Sequence, residues 1–495
     1  MTLRVTNSLT GEREDFDPDS EPVLLYYCGL TTSDPAHLGH ARGWVHVDVM
    51  HRWLEEIGYE VRHVENFTDV NEKIVARVGE DGTSEADVAR LYIQQIIDDM
   101  RSLNLKHAEV YPRVSEHIPE IIDLVERLVD RGYAYEANGS VYFDVTSFED
   151  YGKLSNQDIE EMEAQGSPEE QSEKRNPADF ALWKAGGVEP GEIEEHQHTG
   201  AAPPEEACKT AQTWDSPWGV GRPGWHIECS AMSMTHLDET IDIHVGGQDL
   251  VFPHHENEIA QSEAATGHTF ARYWLHVRLL EAPDDEKMSS SLGNFESVAE
   301  AIDNYGPNVV RTFLLSTAYH SPATYNSETV GEAEQRWDAL ERGYERAREA
   351  VDSIDARTKV ESDTLRAAVE ETESAFEEAM NDDFNTRGAL TALRELTSAV
   401  NAHLDDAEEY DYRGLREAIE TYEQLGGGVL GLAFGDSADD GDVELAEELV
   451  ELVLDVREQE RAAGNYERAD DLRADLEALG IEVQDTDDGP EFRLG

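Results

Sequence analysis

The chain has 495 residues, more than a single hydrophobic core usually organises, so we expect about two to four domains. Its 39 basic and 108 acidic residues give a formal net charge of −69, while 39% hydrophobic residues, 8 Trp and 18 Tyr exclude an acidic disordered chain. A carboxylate-rich surface of this kind is typical of a folded protein from a salt-rich cytoplasm, because salt screens its self-repulsion. Neither a membrane-spanning apolar run nor a signal-peptide core is found in the sequence, so we expect a cytoplasmic protein without a membrane partner.

The segment that begins at Val23 predicts a βαβ unit. Apolar residues 23–27 predict a buried strand, and after Pro35 apolar residues recur at helical spacing until Gly58, where a helix stop belongs. The alternating residues 59–64 predict the second strand, and residues 242–245 predict a further strand of the same sheet. This pattern indicates a parallel sheet of the dinucleotide-binding kind, and therefore an α/β fold with a Rossmann-type catalytic domain.

The remainder of the chain divides according to composition and periodicity. Residues 186–211 are rich in Gly, Pro, Glu and His, which is typical of an exposed insertion, whereas apolar residues at helical spacing after residue 307 predict helices. A stretch rich in Gly and Asp follows the helices and predicts a flexible linker. We therefore predict four parts, namely a catalytic domain at 1–306 with an acidic, irregular insertion near 136–213, a helical domain at 307–425, a linker at 426–442 and a C-terminal module at 443–495.

Two histidines three residues apart begin the first predicted helix, in His37-Leu38-Gly39-His40. They share a helix face, and Gly39 lets a ligand approach the backbone. Free N–H groups at a helix start favour phosphate, and imidazoles there can donate hydrogen bonds as charge builds in a transition state. The motif predicts a nucleotide phosphate site, with a pair of surface histidines as the alternative.

A second motif, Lys287-Met288-Ser289-Ser290-Ser291, carries one of only eight lysines in the chain. A loop with an ammonium group can close over a pyrophosphate leaving group. The alternative is a solvated surface turn. In this order the two motifs resemble those of the class I aminoacyl-tRNA synthetases and their nucleotidyl-transferase relatives, which activate a carboxylic acid with ATP.

Cys28, Cys229, His254 and Glu258 are all of a type that binds metals. His254 and Glu258 are four residues apart, so a helix would present them on one face. Two thiolates, an imidazole and a carboxylate suit tetrahedral zinc. Spacing alone does not pair the two cysteines, since each could be a small buried hydrophobic residue.

The strings around these residues resemble the cysteinyl-tRNA synthetase family from about residue 20 to the C-terminus, apart from the acidic insertion. In that family such residues hold one zinc ion that binds the thiolate of the cysteine substrate, and a thiolate–zinc bond rejects serine as a plain pocket cannot. The strings are Cys28-Gly29-Leu30-Thr31, Asn66-Phe67-Thr68-Asp69-Val70, Gly221-Arg222-Pro223-Gly224-Trp225-His226-Ile227-Glu228-Cys229-Ser230-Ala231-Met232, Phe252-Pro253-His254-His255-Glu256-Asn257-Glu258 and Asn381-Asp382-Asp383-Phe384-Asn385-Thr386.

The resemblance also implies roles for single residues. His37, His40 and Lys287 would act catalytically by stabilising the phosphates and the leaving pyrophosphate of ATP. Mg²⁺ would accompany ATP without an assigned protein ligand, and we expect a monomer whose partners are ATP, L-cysteine and tRNA(Cys). The remaining ATP contacts would come from Gly39, Gly247, Asp249 and Ser289, the cysteine contacts from Gly29, Thr68, Trp225 and His244, and the anticodon contacts from Arg461, Tyr466, Asp470 and Asp485.

Several alternatives stay open at this point. Trp225 could be a core aromatic, and the C-terminal residues could form an ordinary charged amphipathic helix. Ser290 replaces the second lysine of the common KMSKS loop, so more would depend on Lys287. A cysteine ligase acting on an amino sugar is a rival function, disfavoured by the C-terminal module. A non-catalytic zinc-bearing RNA-binding protein is another, disfavoured by the two nucleotide motifs.

Overall fold

The computed structural model describes residues 2–19, 21–159, 162, 168–281 and 296–435. Beyond these it describes scattered helical positions between 450 and 476 and the strand residues 481–486 and 489–494. The chain forms two compact units, Met1–Leu432 and Ala433–Gly495. The strands are β1 (Arg4–Asn7), β2 (Glu12–Asp15), β3 (Val23–Tyr27), β4 (Val61–Glu65), β5 (Ala134–Ala137), β6 (Ser140–Phe143), β7 (Phe180–Ala185), β8 (Trp214–Ser216), β9 (Gly219–Pro223), β10 (Ile241–Gly247), β11 (Ala271–Val277), β12 (Leu280–Glu281), β13 (Ala323–Thr324), β14 (Ala356–Arg357), β15 (Tyr410–Asp411), β16 (Ile481–Thr486) and β17 (Gly489–Leu494).

The helices carry most of the remaining described chain. None of them combines the length and apolar character that crossing a membrane needs, as far as the described residues extend. The helices are α1 (Leu38–Glu56), α2 (Glu72–Val75), α3 (Glu85–Ser102), α4 (Ile118–Asp130), α5 (Pro168–Glu173), α6 (Pro190–Ile193), α7 (Pro204–Ala207), α8 (Trp225–His236), α9 (Glu256–Thr266), α10 (Val298–Tyr305), α11 (Pro307–Leu315), α12 (Ser327–Val351), α13 (Asp363–Asn381), α14 (Thr386–Asp406) and α15 (Tyr412–Thr421).

A four-stranded parallel sheet, in the order β11-β10-β3-β4, organises the first unit. Its central strand β3 is buried at every position, as predicted for residues 23–27. Side chains alternate along a strand, so Tyr27 faces Gly43 of α1, while Leu24 and Tyr26 pack in a core with Cys229 of α8. Because the strands are parallel, their carboxyl ends meet at one edge, where ligands bind in such folds. The predicted α/β fold with a parallel catalytic sheet is confirmed.

A second sheet overlaps the stretch that the sequence pattern marked as irregular and extends beyond it to Pro223. Strands β5, β6, β7, β9 and β8 form it in that order, with antiparallel pairing throughout. Phe143, Phe180 and Trp183 supply buried aromatic side chains. Acidic residues between short strands hid the period-two pattern, which is why the strands were not predicted. Strand β9 runs into α8 and so connects this sheet to the helix that carries Cys229.

The predicted exposure of residues 186–211 was wrong in part. Val188, Ile193 and Ala207 are buried in a small core with Ile74 and Val88. These few apolar side chains anchor a segment whose composition is otherwise polar, and composition alone does not reveal such anchors.

Helices α11 to α15 follow the second half of the catalytic sheet. Of the residues predicted to form the apolar face of α12, Trp337, Leu340, Tyr344 and Ala347 are buried, whereas Val351 is partly exposed. The segment predicted to begin the flexible linker behaves differently. Residues 426–428 belong to a helical turn, Tyr422–Val429, in which Gly426 is buried. Leu430 and Leu432 are buried as well, so the packed chain extends to the end of the first unit. The other domain boundaries stay predictions.

The second unit contains a small core and a hairpin. Val450, Leu454 and Leu476 are buried together. Strands β16 and β17 pair antiparallel, with Ile481 opposite Leu494.

Candidate active site and metal centre

The start of α1 lies at the carboxyl edge of the parallel sheet. His37 is the N-cap residue, and its Nδ1 accepts a hydrogen bond from the His40 amide at 3.3 Å, while the His40 Nδ1 accepts one from the His37 amide at 3.3 Å. The two rings stack with centroids 3.7 Å apart. A Cβ on Gly39 would lie 2.8 Å from the His37 ring, so a larger residue here would displace the imidazole from this position. The predicted pairing of the two histidines at a helix start is therefore found.

The imidazole of His40 is neutral at neutral pH. Burial, reinforced by the neighbouring His37, lowers the pKa of His40 well below its usual value. A neutral imidazole still offers one N–H donor. The pair can thus donate hydrogen bonds to an anion without bringing two positive charges together.

Four ligand-type side chains converge beside this edge. Cys28 follows β3, Cys229 lies on α8, His254 precedes α9, and Glu258 lies on α9. All four are buried, and their ligand atoms lie within 4.8 Å of one another. The Cys28 Sγ is 3.4 Å from the Cys229 Sγ and 3.3 Å from the His254 Nε2, which is 2.9 Å from a Glu258 oxygen. The cluster could hold a metal ion, and it contains the predicted residues.

The two thiols of the cluster resist ionisation, whereas its carboxyl group does not. The hydrogen bond that the Cys229 thiol donates to Cys28, together with burial, raises the pKa of Cys229 well above its usual value. Burial also opposes ionisation of Glu258, but His244 and His254 outweigh it and hold the pKa of that carboxyl well below its usual range. Glu258 is therefore already ionised, while the two thiols would lose their protons only when a metal binds.

A second layer of histidines surrounds the cluster. His244 Nε2 donates to Glu258 Oε2 at 2.9 Å and stacks on Trp274, with centroids 4.3 Å apart. The His226 Nδ1 lies 2.9 Å from the His254 Nδ1. Such contacts orient ligating side chains. The resemblance placed His244 against the amino acid, but its observed contact is with Glu258.

His255 and His276 complete this layer, with 2.9 Å between His255 Nδ1 and His276 Nε2. His244, His255 and Glu258 also form a second group whose atoms lie within 4.8 Å of one another. His226, His255 and His276 were not predicted as neighbours of the site. His226 and His255 lie in the motif strings, which was a usable signal, whereas nothing near His276 pointed to it.

The other residues assigned to the cysteine pocket lie around the metal cluster. The Gly29 amide donates to Asn66 Oδ1 at 3.0 Å, and a Cβ on Gly29 would lie only 1.6 Å from the Asn66 carbonyl oxygen. Thr68 is buried, and its backbone pairs with the segment that follows Cys28. Trp225 is 42% exposed, and its ring centroid lies 5.0 Å from that of His254. This exposure excludes the alternative that Trp225 is a buried core aromatic residue.

Gly247 and Asp249 lie at the carboxyl end of β10, next to the end of β3. A Cβ on Gly247 would lie 2.6 Å from the Asp249 Oδ1. A carboxylate held beside a glycine at this edge can accept hydrogen bonds from hydroxyl groups of a nucleotide.

Lys287 and Ser289 lie outside the described residues, but the chain on both sides of them reaches α1. The Val298 amide donates to the Ala36 carbonyl at 2.9 Å, just before the two histidines. On the other side, the Arg42 Nε donates to the Arg278 carbonyl at 2.9 Å.

The residues assigned to anticodon contacts belong to the second unit. Tyr466 and Asp470 lie outside the described residues. Arg461 is half-buried at a helical position, and Asp485 lies in β16. Their assigned role stays a prediction.

Comparisons with known proteins extend over the whole chain. The model of the class I tRNA synthetase (C) catalytic domain matches residues 16–335, and that of the DALR domain matches residues 375–435. The cysteine–tRNA ligase of Haloarcula marismortui is 74% identical over 495 residues, which are 100% of both chains. That of Halobacterium salinarum is 63% identical, again over 100% of both chains. The solved methionyl-tRNA synthetase of Mycobacterium tuberculosis, bound by methionyl-adenylate, aligns over 83% of this chain and 92% of its own with a TM-score of 0.60 at 14% identity, which shows the shared fold.

Proposed function

Because the chain belongs to the cysteine–tRNA ligase family of class I tRNA synthetases, we propose that it joins L-cysteine to the 3′-terminal adenosine of tRNA(Cys) with the use of ATP. The observation that carries the proposal is the buried Cys28, Cys229, His254 and Glu258 cluster beside the start of α1. Its donor set would suit a metal that selects a thiol, and the two histidines at the same edge of the sheet would suit a phosphate.

The reaction has two steps. The cysteine carboxylate attacks the α-phosphate of ATP, so that a new oxygen–phosphorus bond forms and pyrophosphate leaves. A hydroxyl of the terminal adenosine then attacks the carbonyl of cysteinyl-adenylate and releases AMP. Positioning and charge stabilisation account for most of such catalysis.

Within the protein, His37 and His40 hold the phosphates, and Gly247 and Asp249 hold the ribose. Lys287 and Ser289 hold the leaving pyrophosphate. In support of this assignment, the described chain on either side contacts α1 or the chain just before it, at Arg278 and at Val298. Mg²⁺ accompanies ATP.

Zinc is the metal that the donor set fits best, because two thiols, an imidazole and a carboxylate suit tetrahedral Zn²⁺. When bound, it would hold the thiolate of the substrate and exclude serine. The protein itself orients the donors. His244 fixes Glu258, and His226 lies against the second nitrogen of His254.

We further propose a monomer that acts in a salt-rich cytoplasm. The C-terminal module near 443–495 would read the anticodon through Arg461, Tyr466, Asp470 and Asp485, with bases stacked on aromatic or guanidinium planes. The amino-sugar ligase is not favoured, because the similarity to the cysteine–tRNA ligases includes this module.

The test uses the cysteines as a matched pair. Cys229→Ser replaces a zinc ligand with a weak one, so bound zinc should fall from about one ion per chain to almost none, and cysteine-dependent ATP–pyrophosphate exchange should be lost with it. Cys208→Ser is the control, because Cys208 is half-buried and outside the cluster. Normal exchange by Cys229→Ser would refute the zinc site. Wild-type exchange without transfer of cysteine to tRNA would favour the amino-sugar ligase.

A further inference from the structure

A buried carboxylate lies beside the metal cluster and forms no ion pair within the part of the chain that the structure describes. Glu228 is 2% exposed on α8, directly before Cys229. Its hydrogen bond comes from the Thr68 hydroxyl, with 3.5 Å between Oγ1 and Oε2. His254 and Arg222 lie close enough to interact electrostatically with Glu228, but their ion pairs are with Glu258 and Glu85, at 2.9 and 3.8 Å. Buried carboxylates are normally paired, so this one calls for a partner.

The carboxylate of Glu228 is placed to meet a ligand of the cluster. Trp225, Glu228 and Cys229 share one face of α8, because they stand at positions i, i+3 and i+4. Trp225 on this face lies against His254, and Cys229 belongs to the cluster. Thr68 belongs to the side of the site formed by the segment after Cys28, because its amide donates to the Leu30 carbonyl at 3.1 Å, two residues after Cys28.

The distance from the cluster fits the cysteine substrate. Its sulfur and its ammonium nitrogen are three bonds apart and span about 3–4 Å, given ordinary bond lengths. A cysteine with its sulfur at the cluster therefore carries its ammonium group within reach of side chains that adjoin Cys28 and Cys229. Glu228 and Thr68 are such side chains.

We infer that Glu228, assisted by Thr68, binds the α-ammonium group of the cysteine substrate. This rests on the proposed function. The ammonium group supplies a positive charge in direct hydrogen-bond contact with Glu228, while the Thr68 hydroxyl donates to Glu228 and accepts from the substrate. The site then requires two features of its substrate, a thiol and a free α-amino group. With both of these bound, the carboxylate of the substrate is directed away from α8.

The test compares cysteine with 3-mercaptopropionate, which keeps the thiol and the carboxylate but lacks the ammonium group. Glu228→Gln should weaken cysteine binding about tenfold to hundredfold, the range typical of a lost charge-assisted hydrogen bond. Inhibition by 3-mercaptopropionate and the bound zinc content should stay as in the wild type. A purely structural role would weaken both ligands alike.

Two further variants complete the design. Glu85→Gln changes another buried carboxylate, one bonded to the amides of Asn71 and Gln212, and should leave the preference for cysteine over 3-mercaptopropionate unchanged. Glu228→Asp keeps the charge and should retain part of that preference, which covers the case that Glu228→Gln does not fold.

The outcomes separate the two hypotheses. Full preference for cysteine in Glu228→Gln, or equal losses for both ligands, would overturn the role of Glu228 alone. If Glu228→Gln does not fold and Glu228→Asp does, an undiminished preference of Glu228→Asp for cysteine over 3-mercaptopropionate would also count against the role of Glu228. A wild-type protein that neither binds cysteine nor exchanges pyrophosphate would overturn the proposed function itself.

Discussion

Arg42 bonds the helix that begins at the two histidines to the chain at Arg278, and its replacement by lysine should weaken the use of ATP. Arg42 lies on α1, two residues after His40, and its side chain is 0% exposed. Its guanidinium donates to four backbone carbonyls, those of Arg278 and Ser321 at 2.9 and 2.8 Å and those of Leu314 and Ala318 at 3.2 and 2.9 Å. Burial lowers the pKa of Arg42 to about 10, so it stays charged at neutral pH.

The magnitude follows from the geometry of these bonds. A lysine ammonium has three donors at one point, whereas the guanidinium spreads five over a plane. Arg42→Lys should therefore leave about two carbonyls without a partner, at about 1 kcal/mol each, or about 2 kcal/mol in total. If about 1.4 kcal/mol of this appears as misplacement of the segment after Arg278, the kcat/KM for ATP falls about tenfold.

Pyrophosphate exchange and urea unfolding in concentrated KCl measure the two effects. Arg311→Lys is the matched control, since Arg311 is also buried against α1 but pairs with Asp48 and contacts the Leu103 and Leu430 carbonyls, away from Arg278. Both variants should lose stability, but only Arg42→Lys should raise the KM for ATP, with the Kd for cysteine unchanged. Equal effects of the two variants on ATP would refute the reasoning.

Three other predictions concern charge. Burial raises the pKa of Glu65 from 4.5 to about 8, so between these values Glu65 ionises in the unfolded chain before it does in the folded one, and the wild type should lose stability as the pH rises. Glu65→Gln keeps the acceptor for Trp44, and its urea midpoint should depend less on pH over that range. A urea midpoint that depends on pH as in the wild type would contradict this. Burial opposes ionisation of Asp411, but hydrogen bonds from Arg366 and two amides lower its pKa from 3.8 to about 2, so its stabilisation exists above pH 3.8 and is lost as pH falls through about 2. Asp411→Asn should then cost about 2 kcal/mol at neutral pH and little near pH 2, and a pH-independent difference would argue against the charge. At a net charge of −69, removal of KCl should lower the melting temperature and expand the protein in small-angle scattering, because the Debye length grows from about 3 Å at 1 M to about 30 Å at 0.01 M; a melting temperature independent of KCl would refute the screening argument.

Much of the site could be predicted because it depends on local patterns. The buried run 23–27, the amphipathic stretch that became α1 and the alternation around Ile243 each carry their own periodicity. Residue type does the same for chemistry, since thiols, imidazoles and carboxylates in one chain suggest a metal site before any fold is known. The strings shared with a known family then joined residues that spacing left apart.

The strands of the second sheet were harder to predict, because acidic residues mask short apolar runs. Residues 426–428 illustrate the opposite error. Three glycines in a row favour a flexible linker, yet Leu425 and Val429 on either side are buried and draw the segment into the packed unit.

The sequence by itself determined the ligand types, the two predicted phosphate motifs and the parallel sheet, because each depends on the identity and order of residues that are neighbours in the chain. Only the tertiary structure decided which groups meet, such as Cys28 with Cys229, Glu258 with His244, and Arg42 with the Arg278 carbonyl. The physical reason is that periodicity and residue type act over a few positions, whereas these contacts join segments that only the packing of the whole sheet and its helices brings together.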